Sequence, residues 1–150
     1  MIAIDTNILV YSLAASTADP RHIQAMSIMR RATLASSMLP LQVLGEFLNV
    51  CRVKLKLAPP EAVQQVSDYL ALFFCPPTVS GDLIVAADLT HRFSLQFFDA
   101  LIVAVAIRHG AKLLLSEDMQ DGLVIDGLTI VNPFLAANEG VLADWLGSAA

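Results

Sequence analysis

The sequence predicts an α/β domain built on a mostly parallel sheet. Short runs of continuous apolar residues alternate along the chain with longer stretches of helical period, the order that βαβ units produce. The strongest runs, Ile2-Ala3-Ile4 and Lys112-Leu113-Leu114-Leu115, lack polar–apolar alternation and suit strands covered on both faces. A length of 150 residues argues for a single domain over residues 1–150. A chain of this size buries roughly 70% of its unfolded surface, enough for a substantial core.

The elements follow in order. Ile2-Ala3-Ile4 is the first strand, and a helical stretch comes after it. Asp19-Pro20 marks the start of a helix to about Leu34, with Ile23, Met26, Met29, Ala32 and Thr33 at helical spacing. Ser37-Met38-Leu39 before Pro40 reads as a second short strand. Leu41 to about Leu57 is a helix stopped by Pro59-Pro60, and Pro60 with Glu61 opens the next, to about Phe74. Pro76-Pro77-Thr78-Val79 reads as a short edge strand and Gly81 to Phe93 as a helix. Phe97 to Ile107 has one charge, Asp99, and is apolar on every face, which predicts a helix buried all round. His109-Gly110 ends it. Strands at Lys112–Leu115 and Leu128–Val131 follow, the second stopped by Asn132-Pro133, with a last helix from Phe134 to Trp145.

Composition narrows the function. Apolar and aromatic residues make up 56% of the chain and charged residues 15%, against about a quarter charged in ordinary domains. Disorder is excluded. No apolar run approaches the eighteen or so residues of a membrane span, and no signal peptide is readable, so a cytoplasmic protein is expected. Cys51 and Cys75 read as two reduced thiols rather than a disulfide. A formal net charge of −5 argues against a sequence-blind nucleic-acid binder with a basic surface. The apolar excess predicts an exposed patch that marks an interface, or an unusually apolar core.

In open α/β sheets ligands bind beyond the carboxyl ends of the strands. Four acids are placed near that edge, each by its own context. Asp5 directly follows the first strand, Asp118 comes two residues after Ser116 at the end of Lys112–Leu115, Glu46 is in the early turns of its helix and Asp99 in the first turn of the buried one. Taken singly, each has a structural reading. Asp5 with Thr6 and Asn7 caps a helix, Asp99 complements a helix dipole, Glu46 pairs with a Lys or Arg, and Asp118 sits in a turn. Taken together, four converging carboxylates repel one another unless a cation joins them, and oxygen-only ligands suit Mg²⁺ or Mn²⁺. The remaining acids, Asp82 among them, read as solvated, and His22, His91 and His109 as surface or helix-end residues. The chain has no Gly-rich phosphate loop and no Ser-His-Asp elbow. Arg52, Lys54 and Lys56, with Arg21, Arg30, Arg31, Arg92 and Arg108, are either solvated or flank the acids and hold phosphates.

Four segments carry a family resemblance: Ile4-Asp5-Thr6-Asn7-Ile8-Leu9-Val10, Val43-Leu44-Gly45-Glu46-Phe47, Asp99-Ala100-Leu101-Ile102-Val103-Ala104 and Leu115-Ser116-Glu117-Asp118-Met119. In this order they resemble the PIN domain, and most of all the small PIN ribonucleases that act as VapC-type toxins. Ile130-Val131-Asn132-Pro133-Phe134 also fits, so the likeness spans about residues 1–134. It implies a three-layer α/β/α sandwich and a Mg²⁺- or Mn²⁺-dependent endoribonuclease acting on RNA such as tRNA or rRNA. It implies Asp5, Glu46, Asp99 and Asp118 as metal-binding, catalytic acids, oriented by Thr6, Asn7 and Ser116, with Asp121 as a possible auxiliary acid. It also implies a cognate antitoxin and a homodimer. A housekeeping PIN-like nuclease and a non-catalytic module binding RNA or protein are the alternatives. With those four acids assigned to a metal pocket, nine cations face ten remaining acids, and the rest of the protein carries −1. The acidity then no longer argues against RNA as substrate.

Overall fold

In the computed structural model, which describes residues 1–148, Ile2-Ala3-Ile4 forms a strand (β1) wholly withdrawn from water. It pairs in parallel with β2 (Ser37–Met38) on one side and β3 (Leu113–Leu115) on the other. Beyond β3 lie β5 (Leu128–Val131), also parallel, and β4 (Val124–Ile125), antiparallel at the edge. The order is therefore β2-β1-β3-β5-β4. The chain leaves β1 toward β2 and later returns to β3 on the other side, so the topological switch lies between β1 and β3, where an open sheet of this kind forms its crevice.

Seven helices flank the sheet among the described residues: α1 (Thr6–Ser12), α2 (His22–Ala32), α3 (Leu41–Val53), α4 (Pro59–Leu72), α5 (Ser80–Phe93), α6 (Phe97–Arg108) and α7 (Glu139–Leu146). Together they make the expected three-layer α/β/α sandwich. Ala100 to Ala106 are all buried in α6, as its lack of a polar face predicts, but the expected burial does not extend to the first turn, where Phe97 and Phe98 are exposed. α5 and α6 meet at 116°, and no single helix among the described residues is long and apolar enough to cross a membrane. Pro59 and Pro60 open α4, where a missing N–H costs nothing. Gly110, at φ +74°, closes α6.

Several elements differ from the sequence reading. Pro76–Val79 forms no strand. Two prolines lack the N–H a ladder needs; the Pro76 carbonyl accepts from Leu41 N–H at 2.9 Å, beside an isolated bridge between Phe74 and Met38. The last helix does not begin at Phe134: a 3₁₀ turn at Ala136–Asn138 precedes α7. β4 was not expected. Asp126 (φ +47°) and Gly127 (φ +88°) form a two-residue hairpin turn, and an Asp-Gly pair between apolar residues is its usual signature.

Helix α2 turns a different face inward. Its buried residues are His22, Ala25, Ile28, Met29 and Ala32, while Ile23 and Met26 are exposed. His22 is not a surface residue: its ring Nδ1 lies 2.8 Å from the Tyr11 carbonyl, which fixes the rotation of α2 against α1. Asp82 is not solvated either. It is 2% exposed, and its Oδ1 accepts from Arg108 Nε at 2.8 Å. Cys51 and Cys75 are both free thiols.

Candidate active site

The ends of β1 and β3 build the floor of the site. Ile4 is registered against Leu115, so the next residues, Asp5 and Ser116, stand side by side at the switch point. Asp5 caps α1, its Oδ1 accepting from Thr6 N–H at 2.7 Å, and Ser116 Oγ donates to its Oδ2 at 2.7 Å. The capping and site readings of Asp5 thus describe one arrangement. The first turn of α1 reaches two further acids. Thr6 Oγ1 donates to Glu46 Oε2 at 2.8 Å, and Asn7 Nδ2 donates to Asp118 Oδ2. The three short polar side chains singled out in the sequence therefore each contact one of the acids.

The electrostatics show which acids share a neighbourhood. Burial pushes Asp5 up to about 6; its bonds from Ser116 and Thr6 oppose this, and the charges of Asp99 and Glu46 add to it. Asp99 is also held above the ordinary carboxylate range, by burial first and then by the charges of Glu46 and Asp118. The carboxylates just after β1, on α3, on α6 and in the loop after β3 are thus linked through Asp99. Asp99 and Asp118 face a cavity of about 610 Å³ whose walls include Ser94, Leu95 and Gln96 of the α5–α6 turn. Asp5 and Glu46 do not line it: Asp5 is only 5% exposed. A larger cavity of about 770 Å³ between α2 and α7 contains none of these acids.

The sequence matches a known family model, the PIN domain, over residues 2–120. The chain belongs to the PIN domain family. Solved structures with this PIN fold include VapC20 of Mycobacterium tuberculosis, a sarcin-ricin loop cleaving toxin: 20% identity, TM-score 0.64, covering 79% of this chain and 90% of that one. A toxin–antitoxin complex from Klebsiella pneumoniae matches at 20% identity and TM-score 0.65, covering 89% and 98%. VapBC2 of Rickettsia felis, bound to a DNA fragment from its promoter, matches at 18% identity and TM-score 0.60, covering 87% and 97%. No curated protein matches the sequence significantly.

The neighbouring acids of this PIN domain are committed elsewhere. The Glu117 carboxylate accepts from Tyr11 OH at 2.7 Å and pairs with Arg21, whose guanidinium stacks 4.0 Å from the Tyr11 ring centroid. Of the consecutive acids in the β3 loop, only Asp118 is left to the cavity. Asp121 Oδ1 accepts from Asn132 N–H at 2.7 Å and from Asn138 Nδ2 at 2.8 Å, tying its loop to the chain after β5. Removing it with Asp121→Ala should lower stability by about 1 kcal/mol, read by thermal melting, and leave catalysis intact. A loss of activity as large as that of Asp118→Ala would instead make it a site acid.

The sequence reading missed Gln42. It lies one turn before Glu46 on α3, and its Nε2 donates to Glu46 Oε1 at 2.7 Å and to the Phe98 carbonyl at 2.9 Å. The i,i+4 spacing of an amide and an acid was the available signal. Contact with Phe98 on α6 had no sequence signal.

The donor set suits a hard divalent cation, being all oxygen with an excess of negative charge. Among the described residues no group of three His, Cys, Asp or Glu side chains is by itself arranged to hold an ion. Asp5, Glu46 and Asp118 are drawn instead to the hydroxyl, amide and N–H donors around them. Asp99 receives no hydrogen bond from the described residues that would lower it. The residues fit the ion in donor chemistry and in their shared neighbourhood.

Proposed function

We propose that this chain is a divalent-metal-dependent endoribonuclease and the toxin of a type II toxin–antitoxin pair, with residues 1–150 as one domain acting in the cytoplasm. The observation that carries the reading is the gathering of Asp5, Glu46, Asp99 and Asp118 at the switch point, with Asp5 and Asp99 held above the ordinary carboxylate range by burial and by their neighbours. Such a site is destabilised by its own charge until a cation offsets it. In this reading the four acids hold one or more Mg²⁺ or Mn²⁺ ions, while Thr6, Asn7 and Ser116 orient them. When bound, such an ion activates water and neutralises charge on the scissile phosphate and leaving oxygen.

The protein groups have distinct tasks. Asp5 is rigid, fixed by the end of β1, Ser116 and the α1 N-terminus. Asp99 faces the cavity, where its carboxylate can hold the ion or position the attacking water. Asp118 is oriented by Asn7.

The cations sort by structure. Arg21, Arg92 and Arg108 are bound to acids, and Arg31 donates to the Leu142 carbonyl. Arg52, Lys54 and Lys56 at and just beyond the end of α3, and Arg30 on α2, are exposed with no salt bridge to a carboxylate among the described residues, and are the groups for RNA phosphates. Exposed apolar side chains, including Ile23, Leu83, Ile84 and Phe98, support an antitoxin and a second copy of the chain as partners. The toxin–antitoxin complexes among the structural relatives support the same reading.

Total RNA incubated with the purified protein should be cut in Mg²⁺ or Mn²⁺, left intact in EDTA, and left intact by Asp99→Asn in either metal. Cleavage that survives both EDTA and the substitution overturns the catalytic reading. Growth arrest on expression, relieved by co-expression of an adjacent antitoxin gene, tests the toxin assignment.

A further inference from the structure

We propose that Gln42 is a positioning residue that fixes the Glu46 carboxylate relative to Asp99 so that both can face one divalent cation. The proposal rests on the metal-dependent reading of the site. Its basis is a side-chain clamp between two helices. Gln42 Nε2 divides its two protons between Glu46 Oε1 on α3 and the Phe98 carbonyl, the residue before Asp99 on α6. A single amide nitrogen thus ties one site acid to the backbone that carries another.

The orientation of that amide is dictated by its neighbours. An ionised carboxylate and a backbone carbonyl accept hydrogen bonds and donate none. Turning the amide over would set its oxygen against both. The observed orientation leaves Gln42 Oε1 buried without a hydrogen-bond partner among the described residues. A buried polar atom without a partner is uncommon and costly. Here the cost is accepted on one side of the amide because both donors are used on the other.

The chemistry of the amide also matters. Glu46 and Asp99 repel each other. A lysine or arginine at position 42 would relieve that repulsion, but it would neutralise Glu46 and compete with an incoming cation. A neutral donor holds Glu46 in place and leaves its charge available. Thr6 Oγ1, also neutral, holds the other oxygen at 2.8 Å. Glu46 is therefore aligned from both sides with no positive charge spent on it.

The test compares wild type, Gln42→Met and Gln42→Lys. Mn²⁺ binding is measured by calorimetric titration without RNA, cleavage is measured against Mn²⁺ concentration, and melting is measured in EDTA. Gln42→Met keeps the length and removes the donor. It should bind Mn²⁺ about 10–100-fold more weakly, while its cleavage rate at saturating Mn²⁺ stays within about threefold of wild type. Gln42→Lys should fold with an unchanged or higher melting temperature and lose Mn²⁺ binding at least as severely. Gln42→Met binding Mn²⁺ as tightly as wild type overturns the proposal. So does a Gln42→Met that loses melting temperature and saturated rate with no change in Mn²⁺ affinity, the pattern of a purely structural residue. If wild type binds no Mn²⁺, the metal-dependent reading falls and this proposal with it. If wild type binds and Gln42→Met binds equally, only the role of Gln42 falls.

Discussion

Asp5→Asn should make the metal-free protein more stable at pH 8 while reducing RNA cleavage by at least about 100-fold. The stability gain comes from burial. In the fold Asp5 titrates at about 6 instead of its ordinary 3.8. Its folded-state pKa is raised, so its contribution to stability is complete below about pH 4 and is lost as pH rises through about 6. The shift corresponds to roughly 3 kcal/mol at pH 8, or roughly 6–12 °C in melting temperature for a chain of this size. Asparagine keeps the shape, can still accept from Thr6 N–H, and can donate to Ser116 Oγ. In EDTA the wild type should lose melting temperature between pH 5 and 8, whereas Asp5→Asn should lose much less. Mg²⁺ at about 100 times its Kd should restore about 2.7 kcal/mol to the wild type and nothing to the variant. Equal melting curves for the two proteins across that pH range would refute the charge-strain account of this site.

Arg108→Ala should cost about 1–3 kcal/mol, since it strips the partner from a buried carboxylate while the guanidinium itself is one-third exposed. The Asp82 side chain is 3% exposed. Burial alone would push it up, but the Arg108 hydrogen bonds, the Val79 N–H and the Arg108 charge outweigh that and hold its carboxyl below the ordinary range. Arg108 Nε and Nη2 reach the two Asp82 oxygens at 2.8 and 3.0 Å, and Nη2 also donates to the Pro77 carbonyl at 2.7 Å. The pair therefore ties the end of α6 to the start of α5 and to the Pro76-Pro77 segment. Because the Asp82 pKa is depressed, its contribution is present above the ordinary carboxylate pKa and is lost as pH falls, opposite in sign to Asp5. Urea midpoints for wild type, Arg108→Ala and Arg108→Lys provide the check. Arg108→Lys keeps the charge but not the two-pronged contact and should fall between the others. A loss under about 1 kcal/mol for Arg108→Ala would show that Asp82 finds water instead.

The two acids illustrate what can be read from a chain and what cannot. Asp5 was legible because it follows an apolar strand directly, and strand ends are where such sheets bind ligands. Asp82 was not legible. At the third residue of a helix it has an ordinary local role, which it also fills by accepting from Val79 N–H at 2.8 Å. Nothing local points to an arginine 26 residues away on another helix. His22 was read only in part, for the same reason: it does stand at a helix end, but it is buried. Its helix-start position is local, but its burial against the Tyr11 carbonyl depends on how α2 crosses α1. The β4–β5 hairpin is a different kind of miss, since Asp126-Gly127 carried the signal.

The sequence by itself determined the α/β layering, the two-sided burial of β1 and β3, the burial of α6 from Ala100 to Ala106, and the four carboxylates near the strand ends. These depend on periodicity and on residues adjacent in the chain. Only the tertiary structure decided which donor holds each acid, that Glu117 and Asp121 are occupied elsewhere, which arginines are already paired, and that Gln42 spans from Glu46 to the α6 backbone. The physical reason is range. Hydrophobic period and strand-end position are written into consecutive residues, whereas a hydrogen bond or ion pair between elements depends on crossing angles and rotations that appear only when the helices settle onto the sheet.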